Sequence, residues 1–116
     1  MSKLPEEYLK HILSEAGYLM SESSGLNAGD FLKDETRMRA FARSLEIIGE
    51  AAKKVPYEFR KLHQDVDWKA MAGMRDRLIH HYFGVDYEIV WDVVINEIPK
   101  LRKQLQRLIG PRLFEL

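Results

Sequence analysis

The stretch Met74-Arg75-Asp76-Arg77-Leu78-Ile79-His80-His81-Tyr82-Phe83-Gly84-Val85-Asp86 places an arginine, two histidines and a tyrosine at the end of an expected helix, ahead of a glycine turn. Apolar residues recur at Trp68, Met71, Ala72, Leu78, Ile79 and Tyr82, the spacing of an amphipathic helix. At roughly 100° per residue, with Arg75 at zero, Trp68 falls about 20° away, Met71 about −40°, Leu78 about −60°, Ile79 about 40° and Tyr82 about −20°. On this reading Arg75 sits in the middle of the apolar face, with Asp76 and His80, one turn apart, on its flank. A cation so placed must be paired or put to use, because an uncompensated buried charge is costly. The plain alternatives are a structural ion pair for Arg75 and a helix-end cap for the histidine.

Working outward, the same helical period runs through the rest of the chain. Pro5 with Glu6 and Glu7 suits a helix start, and Tyr8, Leu9, Ile12, Leu13, Ala16, Leu19 and Met20 form a stripe over 5–20, with His11 just off it. Ser21 to Gly29 is a polar loop, after which Asp30-Phe31-Leu32 adds a turn with Phe31 and Leu32 as plugs. A second helix is capped by Asp34 and runs to about Val55, where Pro56 ends it. Gly49 lies within its apolar face at a cost in helix propensity, which close approach of another helix offsets. Glu46 and Glu50 on its flank are candidate counter-charges for Arg75, although Glu50 pairs equally well with Lys54 on its own helix. Residues 56–64 form a short helix with Tyr57, Phe59 and Leu62 available to pack. Asp67 caps the motif helix, which is expected to continue to Gly84. Asp86 caps the last, over 87–109, within which Pro99 kinks the helix or shifts its hydrogen bonding. No stretch alternates like a strand, so the expected fold is all-α, an up-and-down bundle of four to five helices.

Composition agrees. The 116 residues suit one domain, read as a single helical unit over 1–116, with 46% apolar and 31% charged residues. There is no cysteine, hence no disulfide framework or thiolate metal site. No apolar run is long enough to span a membrane, and the N-terminus lacks the apolar core of a secretion signal. A cytoplasmic location is the default expectation. Net charge is zero but uneven: 1–35 carry −4, 36–62 carry +4, 63–99 carry −4 and 100–116 carry +4. Neutrality argues against a protein that coats nucleic acid by charge alone. A local basic lining from the second helix and the C-terminal tail remains possible on this pattern, as does the alternative of solvated helix faces.

His80 and His81 are adjacent and diverge, and no spaced histidine or carboxylate set supplies a metal site. Neither a glycine-rich phosphate loop nor a suggestive Ser-His-Asp set is present. What remains is acid–base chemistry without a cofactor. RNA, the substrate that this segment's resemblance to a family of helical ribonucleases implies, carries its own nucleophile, the 2′-OH. Its cleavage needs a base, an acid for the leaving 5′-oxygen, and a cation for the phosphorane charge. Histidine fits the first two roles and arginine, with its planar fork, the third. Asp76, ahead of His80, is placed to orient the ring and favour its charged form.

Arg75-x4-His80-x-Tyr82, followed by Phe83-Gly84-Val85-Asp86, resembles the Arg-x4-His-x-Tyr signature of the HepT family, within the HEPN superfamily of helical ribonucleases and nucleotide-binding modules. The resemblance extends to Leu45-Glu46-Ile47-Ile48-Gly49-Glu50-Ala51-Ala52 and to Trp68 through Gly73, and covers most of the chain. It implies a homodimer with the site between protomers, which would bring two histidines and two arginines into one cleft. It implies Arg75 and His80 as catalytic residues. It further implies a toxin–antitoxin pair, in which a partner nucleotidyltransferase (the MNT antitoxin) silences the enzyme by adenylylating Tyr82. Family members often carry Asn at the position of Asp76. Arg77 and His81 face away from Arg75 and receive no catalytic role. The alternative is a non-catalytic helical module that binds a nucleotidyltransferase and nucleotide.

Overall fold

The computed structural model describes residues 4–80 and 84–110, with His80 described by its backbone alone. Helix α1 (Pro5–Ser23) starts with Pro5 in its first turn and Glu6 and Glu7 near its positive end, and buries Leu9, Ile12, Leu13, Ala16 and Leu19. Helix α2 (Ala28–Phe31) is a single turn capped by the Asn27 side chain, which accepts from the Asp30 N–H at 2.8 Å. It delivers Phe31 into the core between Phe41 and Trp91, at centroid distances of 5.1 and 5.2 Å. Leu32, the other expected plug, stays exposed.

Helix α3 (Glu35–Lys54) is the element the others pack around. It touches α1 and, later in the chain, the helical segments within 68–78 and 87–92. Asp34 caps it by accepting from the Arg37 N–H at 3.0 Å, and the chain leaves the helix just before Pro56. Phe41, Leu45, Ile48 and Ala52 are fully enclosed. Ser44, buried beside them, donates its hydroxyl proton to Glu15 of α1 at 2.8 Å. Helix α4 (Tyr57–Leu62) packs only through Phe59; Tyr57 and Leu62, also expected to pack, are exposed.

The expected single helix from Asp67 to Gly84 is three pieces. Helix α5 (Trp68–Ala72) is capped by Asp67, which accepts from the Ala70 N–H at 3.0 Å, and helix α6 (Met74–Leu78) follows across Gly73. The chain then extends. Strand β1 (Ile79–His80) pairs antiparallel with strand β2 (Gly84–Val85), Ile79 opposite Val85 and His80 opposite Gly84. The Asp86 N–H donates to the Leu78 carbonyl at 2.7 Å, closing the hairpin onto the end of α6. Gly84 has φ +73°, the left-handed conformation expected of it, but within this hairpin rather than at a helix end.

Packing against α3 explains the break. A Cβ on Gly49 would lie 3.1 Å from the Met71 carbonyl oxygen and 3.8 Å from that of Ala72. The missing side chain therefore lets the last carbonyls of α5 approach the α3 backbone, the close contact that Gly49 implied. Met71 and Met74, on either side of the break, both have no exposed surface.

After β2 one helical unit runs from 87 to 109: α7 (Tyr87–Asp92), a π-helical turn (Val93–Glu97) and α8 (Ile98–Ile109). Asp86 caps it by accepting from the Glu88 and Ile89 N–H groups. The π turn comes just before Pro99, whose ring nitrogen has no hydrogen to donate and whose ring crowds the carbonyl four residues back. The ladder widens by one residue, with the Ile98 N–H bonding to the Val93 carbonyl, and the axis continues. Val90, Val93, Val94, Ile98, Leu101 and Leu105 are buried along it. The fold is thus mostly helical, but its long elements are three (α1, α3 and the 87–109 unit), with the remaining helices six residues or shorter. No described helix is long and apolar enough to cross a membrane.

Candidate active site

Arg75 is exposed on α6 and does not lie in the middle of the apolar face. The buried residues of the segment are Trp68, Met71, Met74 and Leu78, whereas Ile79 is 40% exposed. Met74 belongs to the stripe, and the four buried residues together centre about 45° away from Arg75. The signal was present in the sequence at Met74. The helical wheel also fails past Leu78, because Ile79 has φ −106° and ψ 125° and lies outside any helix.

Neither expected counter-charge reaches Arg75. Glu46 and Glu50 both face Arg43 on their own helix, at 3.3 and 3.7 Å, and Lys54 takes no part. Among the described residues Arg75 makes no ion pair. Being exposed, it needs none, and a planar guanidinium is suited to an anion. Asp76 is likewise exposed, with no hydrogen bond or ion pair among the described residues. Its presumed one-turn relation to His80 is lost, since His80 stands in β1 beyond the helix end. The His80 backbone is held by pairing to Gly84, so Arg75 and His80 stand on two consecutive elements, α6 and β1. His81, Tyr82 and Phe83 lie outside the described residues, and with them the expected packing of Tyr82 on Leu78.

The residue overlooked in the sequence is Glu97. Arg77 donates to both of its carboxylate oxygens, at 2.8 and 2.7 Å, a two-point pair between α6 and the π turn. The bonds from Arg77 hold the Glu97 carboxyl below its ordinary pKa, and Lys100 acts in the same direction. Arg77 is in turn held more firmly protonated, chiefly by its bonds to Glu97 and further by the nearby carboxylates of Asp92 and Asp67. The one available signal was Pro99, since a widened turn ahead of a proline rotates Glu97 relative to a regular helix.

Two open grooves flank this segment. One, of about 490 Å³, is lined by Leu32, Met38, Tyr87, Glu88 and the Gly84-Val85-Asp86 end of the hairpin, and so borders the motif directly. The other, of about 700 Å³, lies between α4, α5 and α8, with Tyr57, Arg60, Lys61, Lys69, Trp68 and Gln104 among its walls, and contains none of the motif residues.

Comparison with known proteins identifies the family. The family profile described as ribonuclease HepT-like matches residues 6–108. A protein of Caldanaerobacter subterraneus subsp. tengcongensis, named as an RNase by inference, is 52% identical over 92% of this chain and 96% of its own length. One of Methanocaldococcus jannaschii, named in the same way, is 43% identical over 88% of this chain and 84% of its own. One of Thermococcus cleftensis, named as a ribonuclease HepT by inference, is 39% identical over 93% of this chain and 98% of its own. No solved structure matches. With nearly its whole length matched by the profile and by these relatives, the chain belongs to the HepT-like ribonuclease family.

Proposed function

We propose that this protein is an endoribonuclease that cleaves RNA through the RNA's own 2′-OH, needs no metal ion, and serves as the toxin of a toxin–antitoxin pair. The observation that carries the reading is Arg75: an exposed arginine with no ion pair among the described residues, five positions before His80 on the segment that carries the Arg-x4-His-x-Tyr pattern. In the step proposed, the 2′-oxygen attacks phosphorus while a histidine takes its proton. The P–O5′ bond breaks, and the leaving oxygen receives a proton from a second histidine. Arg75 binds the non-bridging oxygens as their charge grows. The products are a 2′,3′-cyclic phosphate and a 5′-hydroxyl. One chain supplies one motif histidine, so the site is assigned to a homodimer in which two copies of the α6–β1 segment face each other. Asp76, exposed on α6, is proposed in a supporting role, its carboxylate favouring the charged form of His80. Tyr82 is the proposed acceptor of adenylate from a partner nucleotidyltransferase, which would set a phosphate beside Arg75 and adenine in the path of the RNA.

The test is RNA cleavage in EDTA by the wild type and by Arg75→Ala and His80→Ala, with the product ends determined. Each variant is expected to lose roughly 10²–10⁴-fold in rate while remaining folded. A folded wild type that cuts no RNA but binds a nucleotidyltransferase would replace this reading with that of a non-catalytic module. Sedimentation showing only monomer at micromolar concentration would remove the shared site. Mass spectrometry after incubation with the partner transferase and ATP checks Tyr82, with Tyr82→Phe expected to stay toxic and to escape silencing.

A further inference from the structure

The site segment contains two arginines, and they are used differently. Arg75 and Arg77 are about 200° apart around α6. Arg77 points back across the molecule to Glu97, in a fork-to-fork pair with distances of 2.8 and 2.7 Å. Glu97 belongs to the π turn that precedes Pro99, with φ −102° and ψ −41°. Among the described residues only one other ion pair joins separate helical elements, the longer Arg37–Glu22 contact at 3.8 Å.

Helix α6 needs such a tether. It has five residues, it is joined to α5 only through Gly73, whose N–H bonds the Lys69 carbonyl and whose own carbonyl accepts from Arg77, and on its other side the chain is extended from Ile79. Met74 and Leu78 bury one side of it, and the Leu78 carbonyl accepts from Asp86. Apolar contacts are not directional and leave a one-turn helix free to roll. A two-point charged pair fixes direction as well as distance.

We propose that Arg77 and Glu97 are positioning residues of the site. Their pair sets the roll of α6, so that Arg75 faces outward ahead of His80. It also ties up the second guanidinium, which would otherwise compete with Arg75 for phosphate. This inference rests on the ribonuclease reading above. The widened turn at Pro99 has a use on this account: it carries the carboxylate that orients the site.

The experiment compares wild type, Arg75→Ala, Arg77→Ala, Glu97→Gln and the exchanged double variant Arg77→Glu/Glu97→Arg. Each is given a 5′-labelled, mixed-sequence 24-nucleotide single-stranded RNA, and thermal unfolding is followed on the same samples. A partly exposed pair contributes little to stability, so unfolding midpoints should move by only about a few degrees. Glu97→Gln is expected to lower kcat about tenfold. Its KM should stay unchanged or fall, because the freed Arg77 now holds phosphate unproductively. Arg77→Ala should lower kcat without lowering KM, and the exchanged pair should recover kcat to within about threefold of wild type. Loss of cleavage only in proportion to loss of folded protein, or wild-type kcat in Glu97→Gln, would overturn the proposal. If the wild type cuts and Arg75→Ala does not while Glu97→Gln is unaffected, this inference falls and the ribonuclease reading stands. If the wild type itself cuts no RNA, both fall.

Discussion

Residues 68–78 and 87–109 both present apolar side chains at helical spacing, and each contains a residue that opposes a helix. The outcomes are opposite. The later stretch contains proline, the stronger opponent, and stays continuous by widening one turn. The earlier one contains only glycine and divides at it. The difference lies in the neighbours. Pro99 removes one hydrogen-bond donor, a local defect that a π turn repairs, while Val93, Val94, Ile98 and Leu101 remain buried across it. At Gly73 the cause comes from outside: α3 meets the terminal carbonyls of α5 at Gly49, and the chain restarts on the far side with Met74 in the core. The unbroken stretch buries a single stripe, Val90, Val93, Val94, Ile98, Leu101 and Leu105, along its whole length. The broken one ends in exposed charge, and that is where the motif lies.

The largest expected effects separate these two regions by what each loses. Ile98→Ala, in the continuous unit, should cost about 2–5 kcal/mol in urea unfolding while the cleavage rate per folded molecule holds. Arg75→Ala, in the broken segment, should shift stability by no more than about 0.5 kcal/mol. It should nevertheless remove the cleavage. If Arg75→Ala unfolds the chain, the division between the regions is wrong.

A smaller effect is expected at the contact that divides the segment. Gly49→Ala gains about 1 kcal/mol of helix propensity but pushes a methyl group against the Met71 carbonyl at 3.1 Å. Because that neighbour is backbone, a net loss is expected, and Gly49→Val should lose about 1–3 kcal/mol in the same measurement. A stabilised Gly49→Ala would show that α5 can retreat, and that the break does not depend on α3.

The smallest effect joins the two regions and depends on pH. Arg77 holds the Glu97 carboxyl below the ordinary glutamate value in the folded protein, so the unfolded chain takes up that proton first as pH falls. The contribution of the pair is therefore present above the usual glutamate pKa of about 4.3 and is lost as pH drops through the depressed folded value. Glu97→Gln should flatten this acid limb of the stability profile and leave stability near neutrality little changed. An identical acid limb in wild type and Glu97→Gln would show that the pair is solvated away in solution.

What the sequence determined by itself was local. Asn27 was not foreseen as a cap, but Asp34, Asp67 and Asp86 were, because a cap is a bond between a side chain and an amide two or three residues away. The stripes of α1, α3 and α8 were legible for the same reason, as was a shift in hydrogen bonding near Pro99. The motif was legible as a pattern of residue types, and with it the family. Tertiary structure decided where the segment breaks ahead of the motif, since Gly73 is permitted either course and α3 meets the end of α5 at Gly49. It decided that Arg75 is solvated, because a helical wheel assumes one unbroken helix and this one ends at Leu78. And it decided which arginine is tethered: Arg77 and Glu97 stand 20 residues apart, and only the packing of α6 beside the π turn brings their charges together.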